Sequence, residues 1–96
     1  MKKAYWIAKY RKINNKDALA AYAEKAKLII EFFGGKALVR GGKYLTFEGK
    51  DFIRTVIWEF ENIDIAIKCH NSKDYQAAWS LAKNTTIRDL MIVEGI

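Results

Sequence analysis

The stretch "CHNSKDYQAAW" sets a histidine and a tyrosine five residues apart, His70 and Tyr75. An imidazole titrates near neutrality and can act as acid or base. Ile63, Ala66, Ile67 and His70 form an apolar stripe at helical spacing, which aims the His70 ring at whatever the helix covers. Tyr75 lies one turn into the next predicted helix and can share a pocket with it. The pair is the candidate catalytic centre. The plainer alternative is a boundary histidine bonded to a carbonyl and a packed tyrosine. Arg40 and Arg54 fall on strands joined by a hairpin, and a guanidinium fork suits a carboxylate or enolate oxygen. Pairing with Glu48, Glu59 or Glu94 is their competing fate. Trp6 and Trp58 are candidate walls of an apolar ligand cavity, or else core.

Conventional constellations are absent. One cysteine, Cys69, beside one histidine does not make a zinc site, and no metal is expected. Ser72 and Ser80 are the only serines, and no nucleophile elbow, P-loop or dinucleotide fingerprint occurs, so no cofactor is expected either. The "RGG" at 40–42 is not a phosphate cradle, which needs a helix N-terminus directly after it. Nor is it one of a disordered series of RNA-binding repeats. It is expected to bulge or kink strand two.

The elements that must position these residues follow from periodicity and turn chemistry. Residues 4–10 read as a strand, and Asn14 or Asn15 caps a helix with the stripe Leu19, Tyr22, Ala26, Ile29 and Phe33. Gly34-Gly35 ends it. Strand-like sequence follows at 36–40 and 43–48, and "EGKD" at 48–51 turns into "IRTVIWEF". Asn62 caps one short helix, Ser72 starts another with Tyr75, Ala78, Trp79 and Ala82 on one side, and "DLMIVEGI" closes the chain as a strand. The order βαββαβ is that of an α+β, ferredoxin-like fold: a four-stranded antiparallel sheet with helices on one face. The whole of residues 1–96 is expected to be one domain.

Both faces of that sheet look apolar. Ala4, Trp6, Ala8 and Tyr10 alternate with Tyr5 and Ile7, and Val56, Trp58 and Phe60 with Thr55 and Ile57. A homodimer packed through the face without helices would bury the second set. The net charge is +6, and six basic residues precede the first acid, Asp17. That basic start attracts anions, or is simply a solvated edge. The same strand order occurs in RNA-recognition domains, but "DFIRTVIWEF" lacks their Gly-aromatic pattern, so a nucleic-acid partner is not expected. With no apolar run approaching a membrane span and no disulfide possible within the chain, a cytoplasmic protein is expected.

"YWIAKY", "LVRGG…FEG", "RTVIWEF", "NSKDYQAA" and "LMIVEGI", in order over nearly the whole chain, resemble the family called domain of unknown function 1330. The resemblance implies a dimeric α+β barrel, in which two ferredoxin-like sheets join across a two-fold axis. It places the chain in a superfamily that includes cofactor-independent monooxygenases, muconolactone-type isomerases, haem-degrading enzymes and proteins without known activity. Two departures stand out. Cys69-His70 replaces an aromatic pair, and Leu81-Ala82 replaces a leucine-arginine, so a ligand held by that arginine in relatives lacks the contact here. The expectation is a small dimeric protein that binds or transforms a small unsaturated organic acid without a cofactor. The alternative is a structural or binding module without catalysis.

Overall fold

The computed structural model describes residues 2–96. Strand β1 runs Ala4–Ile13, helix α1 Lys16–Phe32, β2 Lys36–Arg40 and β3 Arg54–Phe60. Helices α2 (Ile63–Asn71) and α3 (Lys73–Trp79), a 3-10 turn at Lys83–Thr85 and β4 (Thr86–Glu94) complete the chain. The sheet order is β2-β3-β1-β4, with every neighbouring pair antiparallel. This is the ferredoxin-like α+β fold that the sequence implies.

Local chemistry sets the boundaries. Asn15, Asn62 and Ser72 each accept a bond from the backbone N–H three residues on, satisfying one orphan donor at the start of each helix. Gly34, at φ +84°, takes the left-handed conformation that lets α1 end. On the sheet, Ala4, Trp6, Ala8 and Tyr10 are all buried, as are Trp58 and Phe60 on β3. Trp6, Trp58 and Phe60 form one core cluster with Tyr22, Ala26 and Ile30 of α1, Ala66 and Cys69 of α2, and Tyr75 and Ala78 of α3. Each large apolar side chain so buried stabilises the layer contact by about 1.5–3 kcal/mol.

The opposite face carries no helix. Tyr5, Ile7 and Ile57 are half-buried there, while Val39, Met91 and Val93 stay exposed. Loop residue Phe52 reaches its edge, with the Lys9 ammonium 5.0 Å from the ring centroid.

Strand two differs from the expectation. It ends at Arg40, and residues 43–48 form no strand; residues 41–53 are one long irregular connection. A ribbon reaching past the sheet would have no face to bury against, and an isolated hairpin is marginal in water. Instead the segment ties itself down locally: Thr46 Oγ1 donates to Asp51 Oδ1 at 2.6 Å, and the Ile53 N–H to the Tyr10 carbonyl at 2.9 Å. The bulge of β2 lies between Ala37 and Val39, not at the glycines. Gly41 has another task. Its φ is +67°, and the Arg54 guanidinium occupies the space a Cβ would need. The strand exit thus requires glycine for its backbone, and an added Cβ would also push the Arg54 side chain aside.

Gly41→Ala is expected to cost about 1–2 kcal/mol of unfolding free energy, measured by urea denaturation, and to displace the Arg54 side chain. Gly42→Ala, where nothing crowds the added methyl, serves as the comparison and should be near neutral.

Candidate functional site

Register brings the site together. Tyr10 pairs with Arg54 of β3 on one side and with Arg88 of β4 on the other. One row across three strands therefore reads Arg54, Tyr10, Arg88, on the face that the helices cover. Arg40 pairs with Val56 and so shares this face.

Arg88 is held in an aromatic box. Its Nη1 donates to the hydroxyl oxygens of Tyr10 (3.3 Å) and Tyr22 (3.1 Å), and its Nη2 to that of Tyr75 (2.7 Å). The guanidinium carbon lies 3.6 Å from the Trp79 ring centroid, a close cation–π stack. The Tyr22 and Tyr75 hydroxyls share a further bond of 2.7 Å. Among the described residues the ion pairs are Lys3–Glu61, Arg11–Asp89 and Lys27–Glu31, so no carboxylate pairs with Arg88, Arg40 or Arg54. Two of the five guanidinium N–H groups of Arg88, one on Nη2 and that on Nε, also lack a protein acceptor among the described residues.

Protonation follows from this arrangement. Burial pushes the Tyr22 hydroxyl well above the ordinary phenol range and raises that of Tyr75, with the Arg88 charge opposing both. Burial also works against the charge on Arg88, but the oxygens of Tyr22, Tyr75 and Tyr10 together outweigh it and hold the guanidinium firmly protonated. At neutral pH the cluster is one cation among neutral phenols. It is a net positive site with proton donors attached.

A cavity of about 40 Å³ adjoins it, between α1 and the sheet. Trp6, Tyr10, Tyr22, Trp58 and Arg88 line its inner part, and Leu19, Ala23, Lys27, Arg40 and Arg54 its mouth. The same mouth residues also bound an open groove of about 600 Å³, to which Lys16 adds a positive charge and Glu24 a negative one.

Arg40, Arg54, Trp6 and Trp58 thus meet at one cavity, and Tyr75 reaches it through Arg88. His70 does not. The inward line of α2 runs through Ala66 and Cys69, both fully buried, which turns His70 to the helix edge and leaves Ile67 exposed. The His70 ring is half-buried, with Nδ1 2.9 Å from Asn71 Oδ1, and it packs against Trp6 and Tyr75 at centroid distances of 5.7 and 5.6 Å. It backs the tyrosine rather than facing the cavity, contrary to the sequence expectation. Sequence reasoning also passed over Arg88, Tyr10 and Tyr22. Beginning strand four at Thr86 instead of Asp89 would have shown Arg88 alternating with Leu90 and Ile92, on the inward side.

The family model described as domain of unknown function (DUF1330) matches residues 3–96. The chain belongs to the DUF1330 family. Comparison with curated proteins gives no match. Among solved structures, this DUF1330 chain is similar to a protein of unknown function from Rhodopseudomonas palustris: TM-score 0.75, 16% identity, 99% of this chain and 83% of that one. It is similar also to a dimeric, ferredoxin-like protein of unknown function from Bacteroides fragilis, with TM-score 0.65, 12% identity and coverage of 97% and 96%. A candidate antibiotic biosynthesis monooxygenase from Caulobacter crescentus aligns at TM-score 0.63 and 10% identity, over 99% and 91%. At these identities the likeness is one of fold.

The protonation pattern makes stability fall in alkali. A buried acid whose folded pKa is raised favours the native state fully below its unfolded pKa, and that contribution is lost as pH rises above it. For Cys69, pushed up to about 12 by burial, the loss begins near the ordinary thiol value of 9.0. For Tyr22 and Tyr75 it begins near 10.0. Urea midpoints are therefore expected to be flat from pH 7 to 8.5 and to fall above pH 9. Above pH 10 each tyrosine contributes a slope of up to about 1.4 kcal/mol per pH unit. Tyr22→Phe should flatten the part above pH 10; an unchanged slope would count against a buried neutral phenol.

Proposed function

We propose that the protein binds a small unsaturated organic acid in the cavity between α1 and the sheet, its carboxylate facing Arg88. The observation that carries this reading is the guanidinium itself. A cation drawn into an apolar core needs compensation, and neutral phenols solvate it without neutralising it. An anion with a flat apolar body suits the remaining donors and the walls formed by Trp6 and Trp58. Arg40 and Arg54 stand at the entrance as attracting charges. If the ligand is transformed, Tyr75 is the proton-carrying group at the cation, kept neutral and hydrogen-bonded to a second phenol. His70 acts on it only by packing behind its ring. The fold likeness to a candidate monooxygenase is compatible with such chemistry.

The functional unit in this reading is a homodimer. Met91, Val93, Ile57 and Ile7 on the face without helices, with Tyr44, Leu45 and Phe47 exposed on the 41–53 loop, form the kind of apolar surface that a second copy covers. Nucleic acid is a poorer partner for this sheet. The rings of Trp6, Trp58 and Phe60 all point into the core, so the exposed face offers no row for stacking bases.

Benzoate and benzyl alcohol separate charge recognition from apolar fit. In calorimetric titrations at pH 7 and low salt, benzoate is expected to bind saturably and benzyl alcohol not detectably, with His70→Ala keeping benzoate affinity within about twofold, since His70 is not at the cavity. No benzoate binding, or equal binding of the two, would overturn the reading. Sedimentation at low micromolar concentration should give about twice the 11.1 kDa chain mass; a monomer would remove the dimer.

A further inference from the structure

Resting on the anion-binding reading, we infer that the ligand is a dianion, a dicarboxylic acid whose two ends meet different arginines. Two cationic positions face the same space. The inner one is Arg88, enclosed by tyrosine hydroxyls and Trp79. The outer one is Arg54 with Arg40, at the boundary that cavity and open groove have in common.

The register fixes their relation. Arg88 and Arg54 flank Tyr10 in one row of the sheet, so their backbones stand two strand spacings apart, roughly 10 Å. Each therefore projects its guanidinium from a different strand. A dicarboxylate that spans the two positions puts one carboxylate in hydrogen-bond range of each guanidinium. The cavity of about 40 Å³ and the adjoining groove of about 600 Å³ give the two ends different surroundings.

Gly41 leaves the room in which the Arg54 guanidinium lies, and Arg54 has no carboxylate partner among the described residues. Lys27, which also borders the cavity, is already paired with Glu31, so it does not duplicate the outer charge. One monoanion cannot satisfy both positions. A second acid group can.

Hexanedioate and hexanoate test this, titrated calorimetrically into the intact protein and into Arg54→Gln and Arg40→Gln. The expected result is hexanedioate binding at least about tenfold tighter than hexanoate, one charge-assisted contact's worth. Arg54→Gln should abolish that advantage, weakening hexanedioate far more than hexanoate, and Arg40→Gln should reduce it less. Equal affinities for the two acids would overturn the dianion while leaving a monocarboxylate site intact. Binding of neither would overturn both readings. Tighter hexanedioate binding that survives both substitutions would place the second carboxylate elsewhere and overturn the assignment.

Discussion

The guanidinium of Arg88 is the constraint around which the helical layer is arranged. It stands on β4 and bonds to a hydroxyl from β1, one from α1 and one from α3, with a tryptophan of α3 stacked over it. Four elements therefore meet at a single charge. Apolar packing of Trp6, Ile30 and Phe60 supplies most of the affinity between layers, but it is tolerant of small slides. Directional bonds of 2.7–3.3 Å to one planar cation are not tolerant, and they fix how α1 and α3 sit above the strand row. Without a carboxylate beside it, the same charge leaves a positive potential in a low-dielectric space. Architecture and anion attraction have one source.

The two faces of the sheet divide their work accordingly. One is closed by α1, α2 and α3 and contains every large buried ring, while the other is an apolar surface flanked by the 41–53 loop. Phe47 on that loop is 86% exposed, so its ring is left almost wholly without cover within the chain. The basic N-terminal strand borders both faces, since Lys9 and Arg11 turn away from the helices while Tyr10 turns toward them. Charge for the candidate site comes from the strand row, and the back presents an apolar surface.

Much of this was legible in the sequence. Caps at Asn15, Asn62 and Ser72, the glycine stop at Gly34 and the alternation of β1 are local signals, and local physics decided them. Strand two was misread because Lys43 to Glu48 has strand-like composition but no partner in the sheet, and pairing is a property of two segments rather than one. His70 was misplaced by one step of helical phase: Ile67 and His70 make as regular a stripe as Ile65, Ala66 and Cys69, and only tertiary packing chose the latter. Arg88 was missed because a charged residue at the start of a strand reads as surface. Its inward turn depends on three tyrosines 13, 66 and 78 residues away in sequence, a convergence no local pattern reports.

The central claim is that the Arg88 cation is the receptor for an anion, and its own side-chain resonance reports on that most directly. The Arg88 Nε–Hε signal, followed by two-dimensional 15N NMR at pH 7 during a benzoate titration, is predicted to shift saturably, with a midpoint equal to that of global binding. An Arg88 signal that stays fixed while benzoate saturates the protein would contradict the account and locate the anion elsewhere.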